Sequence, residues 1–120
     1  MSSSLNDDDL ANLPAARGIY QITNGRVSYV GLSDNIRRRM RQHLESYSGR
    51  SRIVLDAGRA RCIVLELLPH ASDRELAERE WYWFDRLQRQ NQILVNDPSS
   101  LGRTPSGRYG PPAGLFARTS

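Results

Sequence analysis

Ile19, Gln21, Ile22 and Thr23 suit a β-strand and Val27, Tyr29 and Val30 suit its partner, while the Asn24-Gly25 step between them can take the positive φ angles of a tight type I′ turn. The stretch from Gly18 to Gly31, GIYQITNGRVSYVG, is therefore read as a β-hairpin with a tyrosine towards the outer end of each strand. Closing it in a simple register brings Tyr20 and Tyr29 near one small hollow, with Gly18 and Gly31 leaving open backbone beside them. Tyrosine is a common strand residue, so this stretch alone suits plain packing as well as chemistry.

After the hairpin the apolar spacing becomes helical. Ser33 and Asp34 offer capping oxygens for a helix running to about Ser46, with Ile36, Met40, Leu44 and Tyr47 on one stripe. Arg39 and His43, one turn apart, lie along a flank of that stripe, whereas Arg38 and Arg41 point to solvent. From that flank a long side chain can reach the edge of a sheet, which is how Arg39 could approach the two tyrosines. Residues 48 to 60 are loop-like, and Ile53-Val54-Leu55 suits either a helical turn or a brief strand. Cys62 to Leu68, CIVLELL, is a nearly continuous apolar run suited to a buried strand that Pro69 ends. Ser72 and Glu75 then form a capping box that opens a helix from Asp73 to about Gln88.

That second helix carries an anomaly. Leu76, Trp83, Phe84 and Leu87 define its buried face, and Glu80 projects from within that face, whereas Glu75, Glu78 and Asp85 leave from other sides. Burying an unpaired carboxylate costs several kcal/mol, so Glu80 requires an arginine, a metal ion or an opening to solvent. A hard divalent cation such as Mg²⁺ accepts a sparse carboxylate site when substrate oxygens and water complete its shell. Further on, Ile93-Leu94-Val95 delivers Asn96 just before Asp97-Pro98. Residues 1–16 read as a flexible acidic leader that can pack Leu10 and Leu13 at its end, residues 17–97 as the domain, and residues 98–120 as a largely irregular Gly/Pro/Arg-rich tail. In that tail Arg103, Arg108 and Arg118, with Tyr109 and Phe116, would allow nucleic-acid contacts.

Composition changes the picture in one respect. The 120 residues suit a single domain, and the net charge of +4 is unevenly placed: residues 17–61 hold ten arginines against Asp34, Glu45 and Asp56. An anionic partner is the inference. All seventeen basic residues are arginine, and guanidinium forks suit phosphate oxygens. The single cysteine, Cys62, excludes an internal disulfide and a Cys-rich zinc site. There is no secretory signal or membrane-length apolar stretch, so a cytoplasmic location without a membrane partner is the default expectation. Repeats, a phosphate-binding Walker loop and a His-based hydrolase triad are absent, and His70 after Pro69 reads as a surface loop residue.

The combination of Gly18-Ile19-Tyr20, Tyr29-Val30-Gly31, Arg39, His43, Glu80 and Asn96, in this order and spacing over roughly residues 17 to 97, resembles the GIY-YIG nuclease superfamily. The resemblance implies an α/β (α+β) fold, a small three-stranded antiparallel sheet flanked by helices, which agrees with the three strands above. It implies a metal-dependent DNA endonuclease that hydrolyses phosphodiester bonds. Glu80 would be the ligand of a single Mg²⁺ or Mn²⁺, Tyr29 the general base, Tyr20 a positioning or relay phenol, and Arg39 the cation on the pentacovalent phosphate. His43 would activate water or relay its proton, and Asn96 would complete the pocket by hydrogen bonding.

The chain departs from the pattern at Leu32, where DNA-repair members often carry lysine, and in a longer segment after Glu80, which makes Asn91 an alternative to Asn96. A free phenol is a poor base at neutral pH, so Tyr29 needs neighbouring positive charge, and His43, which titrates near neutrality when unperturbed, competes for the role. Arg37, Arg38, Arg41, Arg50 and Arg52 are the expected DNA-backbone contacts. Such contacts carry no sequence information, so a separate specificity partner protein is expected too. The alternative reading is a non-catalytic DNA-binding module that keeps the fold.

Overall fold

The two hairpin strands are the middle of the sheet in the computed structural model, which describes Leu5 and residues 7–115. Strands β1 (Gly18–Thr23), β2 (Val27–Ser33), β3 (Arg61–Leu67) and β4 (Ile93–Leu94) lie in the order β3-β1-β2-β4. β1 pairs antiparallel with β2 and with β3, while β4 runs parallel to β2 beside Val27 and Ser28. The three expected antiparallel strands thus gain a two-residue fourth strand. The apolar segment expected only to deliver Asn96 docks on the sheet edge through Ile93 N–H on Arg26 O and Val95 N–H on Ser28 O.

Helices cover both faces, so every residue of β1 is buried. Alternation along the strand divides its side chains. Tyr20 and Ile22 pack against Ile36 and Met40 of α2 (Ile36–Glu45) and Val54 and Leu55 of α3 (Ser51–Asp56). Ile19, with Val30 from β2, packs on the opposite face against Leu76 and Leu87 of α4 (Asp73–Arg89). The capping box opens α4 as expected, with Ser72 and Glu75 each bonded to the other's backbone N–H.

Several local expectations change. The hairpin turn is not type I′: only Gly25 has a positive φ, +99°, and Asn24 instead turns its side chain onto the N–H groups of Arg26 and Val27. The α2 cap is Asn35, whose Oδ1 accepts from Arg38 N–H, because Asp34 pairs with Arg17 and Ser33 Oγ is bonded to the Asn35 backbone. α2 ends at Glu45, so Tyr47 leaves the apolar stripe and is 95% exposed. The ambiguous Ile53-Val54-Leu55 segment lies within α3. On α4, Trp81 rather than Trp83 is the buried tryptophan.

Both ends carry more regular structure than a flexible leader and a largely irregular tail, although the packing of Leu10 and Leu13 is as expected. Residues Asp7–Ala11 form a short helix, α1, and Leu10 and Leu13 are buried in the α2–α3 core. Arg37 fixes this segment by donating to the carbonyls of Leu13 and Ala11. Past β4, a 3-10 turn (Pro98–Ser100) leads to a hairpin of β5 (Arg103–Thr104) and β6 (Gly107–Arg108). Composition suggested an irregular segment, but Leu101, 1% exposed, inserts against Trp81 and Phe84 of α4 and holds it down. Phe116 and Arg118 lie outside the described residues.

Gly31 sits opposite Tyr20 in the β1–β2 register, and a Cβ there would come within 2.2 Å of the Tyr20 ring and hydroxyl. Gly31→Ala is expected to lower stability by about 1–3 kcal/mol, the usual range for overpacking, and to displace the Tyr20 phenol. Urea unfolding checks this, and an unchanged midpoint would mean that the ring has room to move.

Candidate active site

The β1–β2 register places Tyr20, Ile22, Tyr29 and Gly31 on one face, with Tyr20 opposite Gly31 and Ile22 opposite Tyr29. The two phenols are therefore diagonal neighbours, as the hairpin reading anticipated. His43, on the inner side of α2, lies edge-on to both rings, with centroids 5.7 Å from Tyr20 and 5.3 Å from Tyr29. Its Nε2 is 2.6 Å from the Tyr20 hydroxyl and its Nδ1 is 2.8 Å from Ser51 Oγ at the start of α3. Burial first, and then the Arg39 charge, push His43 down to about 3. The imidazole is therefore neutral at neutral pH, one nitrogen donating and the other accepting, in a chain Tyr20–His43–Ser51.

Tyr20, Tyr29, Gly31, Leu32, Arg39, Glu80, Ser100 and Arg103 line one cleft of about 160 Å³. Arg39 reaches it from the flank of α2, as its helical position predicted, hydrogen-bonding Tyr29 and donating to Gln42 Oε1 at 3.1 Å. Tyr29 is nonetheless raised from its ordinary value. Burial is the largest cause and the Glu80 charge adds to it, outweighing the Arg39 charge and hydrogen bond that favour phenolate. Tyr20 is raised well above its ordinary value, chiefly by burial and then by Tyr29.

Glu80 is 5% exposed and forms no ion pair among the described residues. Its carboxylate is held by backbone N–H groups instead: Gly102 donates to Oε1 at 2.7 Å, and Leu32 of β2 donates as well. Burial still outweighs these two donors and pushes the carboxyl up to about 7. Among the described residues no group of three or more His, Cys, Asp or Glu could hold a metal ion. The acidic donor set of the cleft is thus Glu80 alone among the residues lining it, a buried carboxylate of the kind that a single hard cation completed by substrate and water would use.

Asn96 does not line the cleft. Its Oδ1 accepts from Val30 N–H at 2.9 Å and its Nδ2 donates to Val30 O at 2.8 Å, so the side chain stands in for a strand residue beside β2. It thereby satisfies the β2 backbone at Val30, between Tyr29 and Gly31. Asn91 sits in a positive-φ turn after α4, and is exposed. Among the expected DNA contacts, Arg38 and Arg41 are exposed and form no ion pair among the described residues, and Arg50 is exposed with one donor on Val95 O. Arg37 and Arg52 are engaged internally: Arg37 holds the N-terminal segment, while Arg52 pairs with Asp56 and donates to His43 O.

Sequence reasoning missed Ser51, Ser100 and Gly102, and it placed Arg103 among possible nucleic-acid contacts of the tail without bringing it to this cleft. Ser51 lies in a stretch read only as loop-like, and Ser100, Gly102 and Arg103 lie in one whose composition carried no folding signal. Among the described residues no helix is long and apolar enough to cross a membrane.

A family model described as the GIY-YIG catalytic domain matches residues 16–93. Among solved structures, the catalytic domain of the homing endonuclease I-TevI is similar, with a TM-score of 0.54 and 25% sequence identity over 68% of this chain and 99% of that one. Comparison with curated proteins gave no match.

Two buried groups of this site set opposite pH dependences. With its carboxyl raised from 4.5 to about 7, folded Glu80 keeps a proton that the unfolded chain releases, so this group lowers stability as pH rises through that window. His43, lowered from 6.5 to about 3, stays neutral when folded while the unfolded chain protonates, so it raises stability as pH rises between those values. Glu80→Gln removes only the first dependence. In chelating buffer the variant's stability is expected to climb more steeply than the wild type's from about pH 4.5 to 6.5, and to exceed it above 7. Urea titrations across this range check the signs, and parallel curves for the two proteins would contradict a protonated native Glu80.

Proposed function

The chain belongs to the GIY-YIG family, and we propose that it is a metal-dependent DNA endonuclease hydrolysing phosphodiester bonds at the Tyr20–Tyr29–Arg39–Glu80 cleft. The observation that carries this reading is convergence: two phenols, a guanidinium and a buried carboxylate, from β1, β2, α2 and α4, line one cleft. The likeness to the catalytic domain of a homing endonuclease supports the same reaction class.

Hydrolysis needs a proton taken from water as it attacks phosphorus, positive charge on the phosphate oxygens, and departure of the leaving oxygen. Arg39 meets the second need, because its guanidinium reaches the cleft and already carries the phenol of Tyr29 as a hydrogen-bond partner. Tyr29 is the base in this reading, since it lines the cleft while His43 lies behind the phenols and is not basic at neutral pH. Tyr20, bonded to His43 and through it to Ser51, holds its hydroxyl at the cleft wall and passes protons along that chain. Glu80 would hold Mg²⁺ or Mn²⁺, which when bound supplies charge to a phosphate oxygen and cancels the carboxylate's opposition to a Tyr29 phenolate. Arg38, Arg41 and Arg50 would hold the DNA backbone beside the cleft, leaving sequence choice to DNA shape or to a specificity partner.

Cleavage of plasmid and branched DNA tests the reading. Wild type is expected to cut with Mg²⁺ or Mn²⁺, to stop with chelator, and to lose cutting in Glu80→Gln. Nicking without metal, or equal cutting by Glu80→Gln, would overturn it. Salt-sensitive binding without cutting by the wild type would favour a non-catalytic module. In the cutting protein, Tyr29→Phe is expected to lose about 10²–10⁴-fold in rate, the usual span for a general base, and His43→Ala less. The reverse order would make His43 the base.

A further inference from the structure

We propose that Arg103, carried on the C-terminal β5–β6 hairpin, is a second phosphate-contacting cation of this cleft, facing the same DNA strand as Arg39. The proposal rests on the nuclease reading and adds a residue from outside the 16–93 segment matched to the family. Arg103 and Ser100 form the cleft wall contributed by this segment. The arginine is exposed and forms no ion pair among the described residues. Asp97 feels its charge but already accepts from Ser99 N–H at 3.0 Å.

What makes this an assembled feature is the anchoring on both sides of Arg103. Leu101 is buried against Trp81 and Phe84, and Gly102 N–H is bonded to Glu80 itself. Gly102 has a φ of +80°, and a Cβ there would come within 1.9 Å of Tyr109 O, so this position requires glycine. Tyr109 closes the hairpin by donating its N–H to Gly102 O at 2.9 Å and accepting Trp81 Nε1–H at 3.0 Å. The residue immediately after the Glu80 clamp is therefore held at the cleft mouth by contacts on both sides. Two guanidiniums against one carboxylate leave the cleft with an excess of positive charge, which a phosphodiester neutralises and which plain packing does not need.

The test separates binding from cutting. In Glu80→Gln, whose amide oxygen keeps an acceptor for the Gly102 N–H, binding of a labelled short duplex is followed against NaCl concentration. Adding Arg103→Ala is expected to weaken binding and to reduce the slope of log K on log salt by about 1, the signature of one lost phosphate contact; Arg103→Lys restores the slope. In the active background Arg103→Ala is expected to lower kcat/KM at least about tenfold, the size of a lost charge-assisted hydrogen bond, with the unfolding midpoint unchanged. An unaltered slope overturns the Arg103 proposal alone. If wild type binds but does not cut, the endonuclease reading falls while the salt slope still decides the Arg103 contact. If it does not bind DNA, both are overturned.

Discussion

The outer edge of β2 is the constraint on which the site depends. A strand edge presents backbone N–H and C=O groups at every second residue, and a buried one left unpaired costs about 1–3 kcal/mol. β4 covers this edge only beside Val27 and Ser28. Beyond it the chain finishes the edge with side chains: the Asn96 amide takes both backbone groups of Val30, and the Glu80 carboxylate takes the N–H of Leu32. The short length of β4 is what leaves a position for an acid. A longer fourth strand would occupy the place of the carboxylate, and the cleft would close.

Once fixed there, Glu80 shares a small volume with the Arg39 guanidinium and with three other titratable groups that burial keeps neutral. Burial raises Tyr20, Tyr29 and Glu80 and lowers His43, so each of the four favours its neutral form. The described residues nonetheless leave no buried side-chain polar atom without a hydrogen-bond partner, because the Tyr20–His43–Ser51 chain and the backbone donors to Glu80 satisfy them without counter-ions. The protein's own groups thus satisfy one another's hydrogen bonds, while Glu80, at about 7, stays close to a change of charge. Positive charge brought beside Glu80 and Tyr29 acts in a setting of low polarity, where it shifts their protonation far more than it would in water.

What could be read from the sequence follows from how local each signal is. The hairpin, the capped α4 and the acid on its apolar face are legible because strand alternation and helical spacing are properties of a few adjacent residues. Arg39 follows from the same helical geometry. The turn type at Asn24-Gly25 and the cap of α2 were misplaced by a residue or two, since several Asn, Asp and Ser compete there and tertiary pairs such as Arg17–Asp34 decide between them. Tyr47 matched the apolar spacing, but the helix carrying that spacing stops at Glu45. Ser51 and Gly102 were illegible for a deeper reason. Each matters through one hydrogen bond to a residue on another element, and composition carries no trace of such a bond.

The C-terminal segment shows how a stretch poor in folding signal acquires structure. Pro, Gly, Ser and Arg bury little on their own, and residues 98–115 contain only Leu101 and Leu115 as aliphatic anchors beyond alanine. Leu101 suffices because α4 offers Trp81 and Phe84 on the side left uncovered by the sheet, and because Glu80 and Trp81 Nε1 each need a partner that this segment supplies. The dependence runs both ways. Without the segment, the indole N–H and one carboxylate oxygen would face water or nothing, and two aromatic rings would lose their cover. Without Glu80, Gly102 would lose the acceptor that fixes the backbone beside the cleft. The acid that the helical pattern marked as misplaced in an apolar face is thus the point through which β2, α4 and the C-terminal hairpin are held in one geometry.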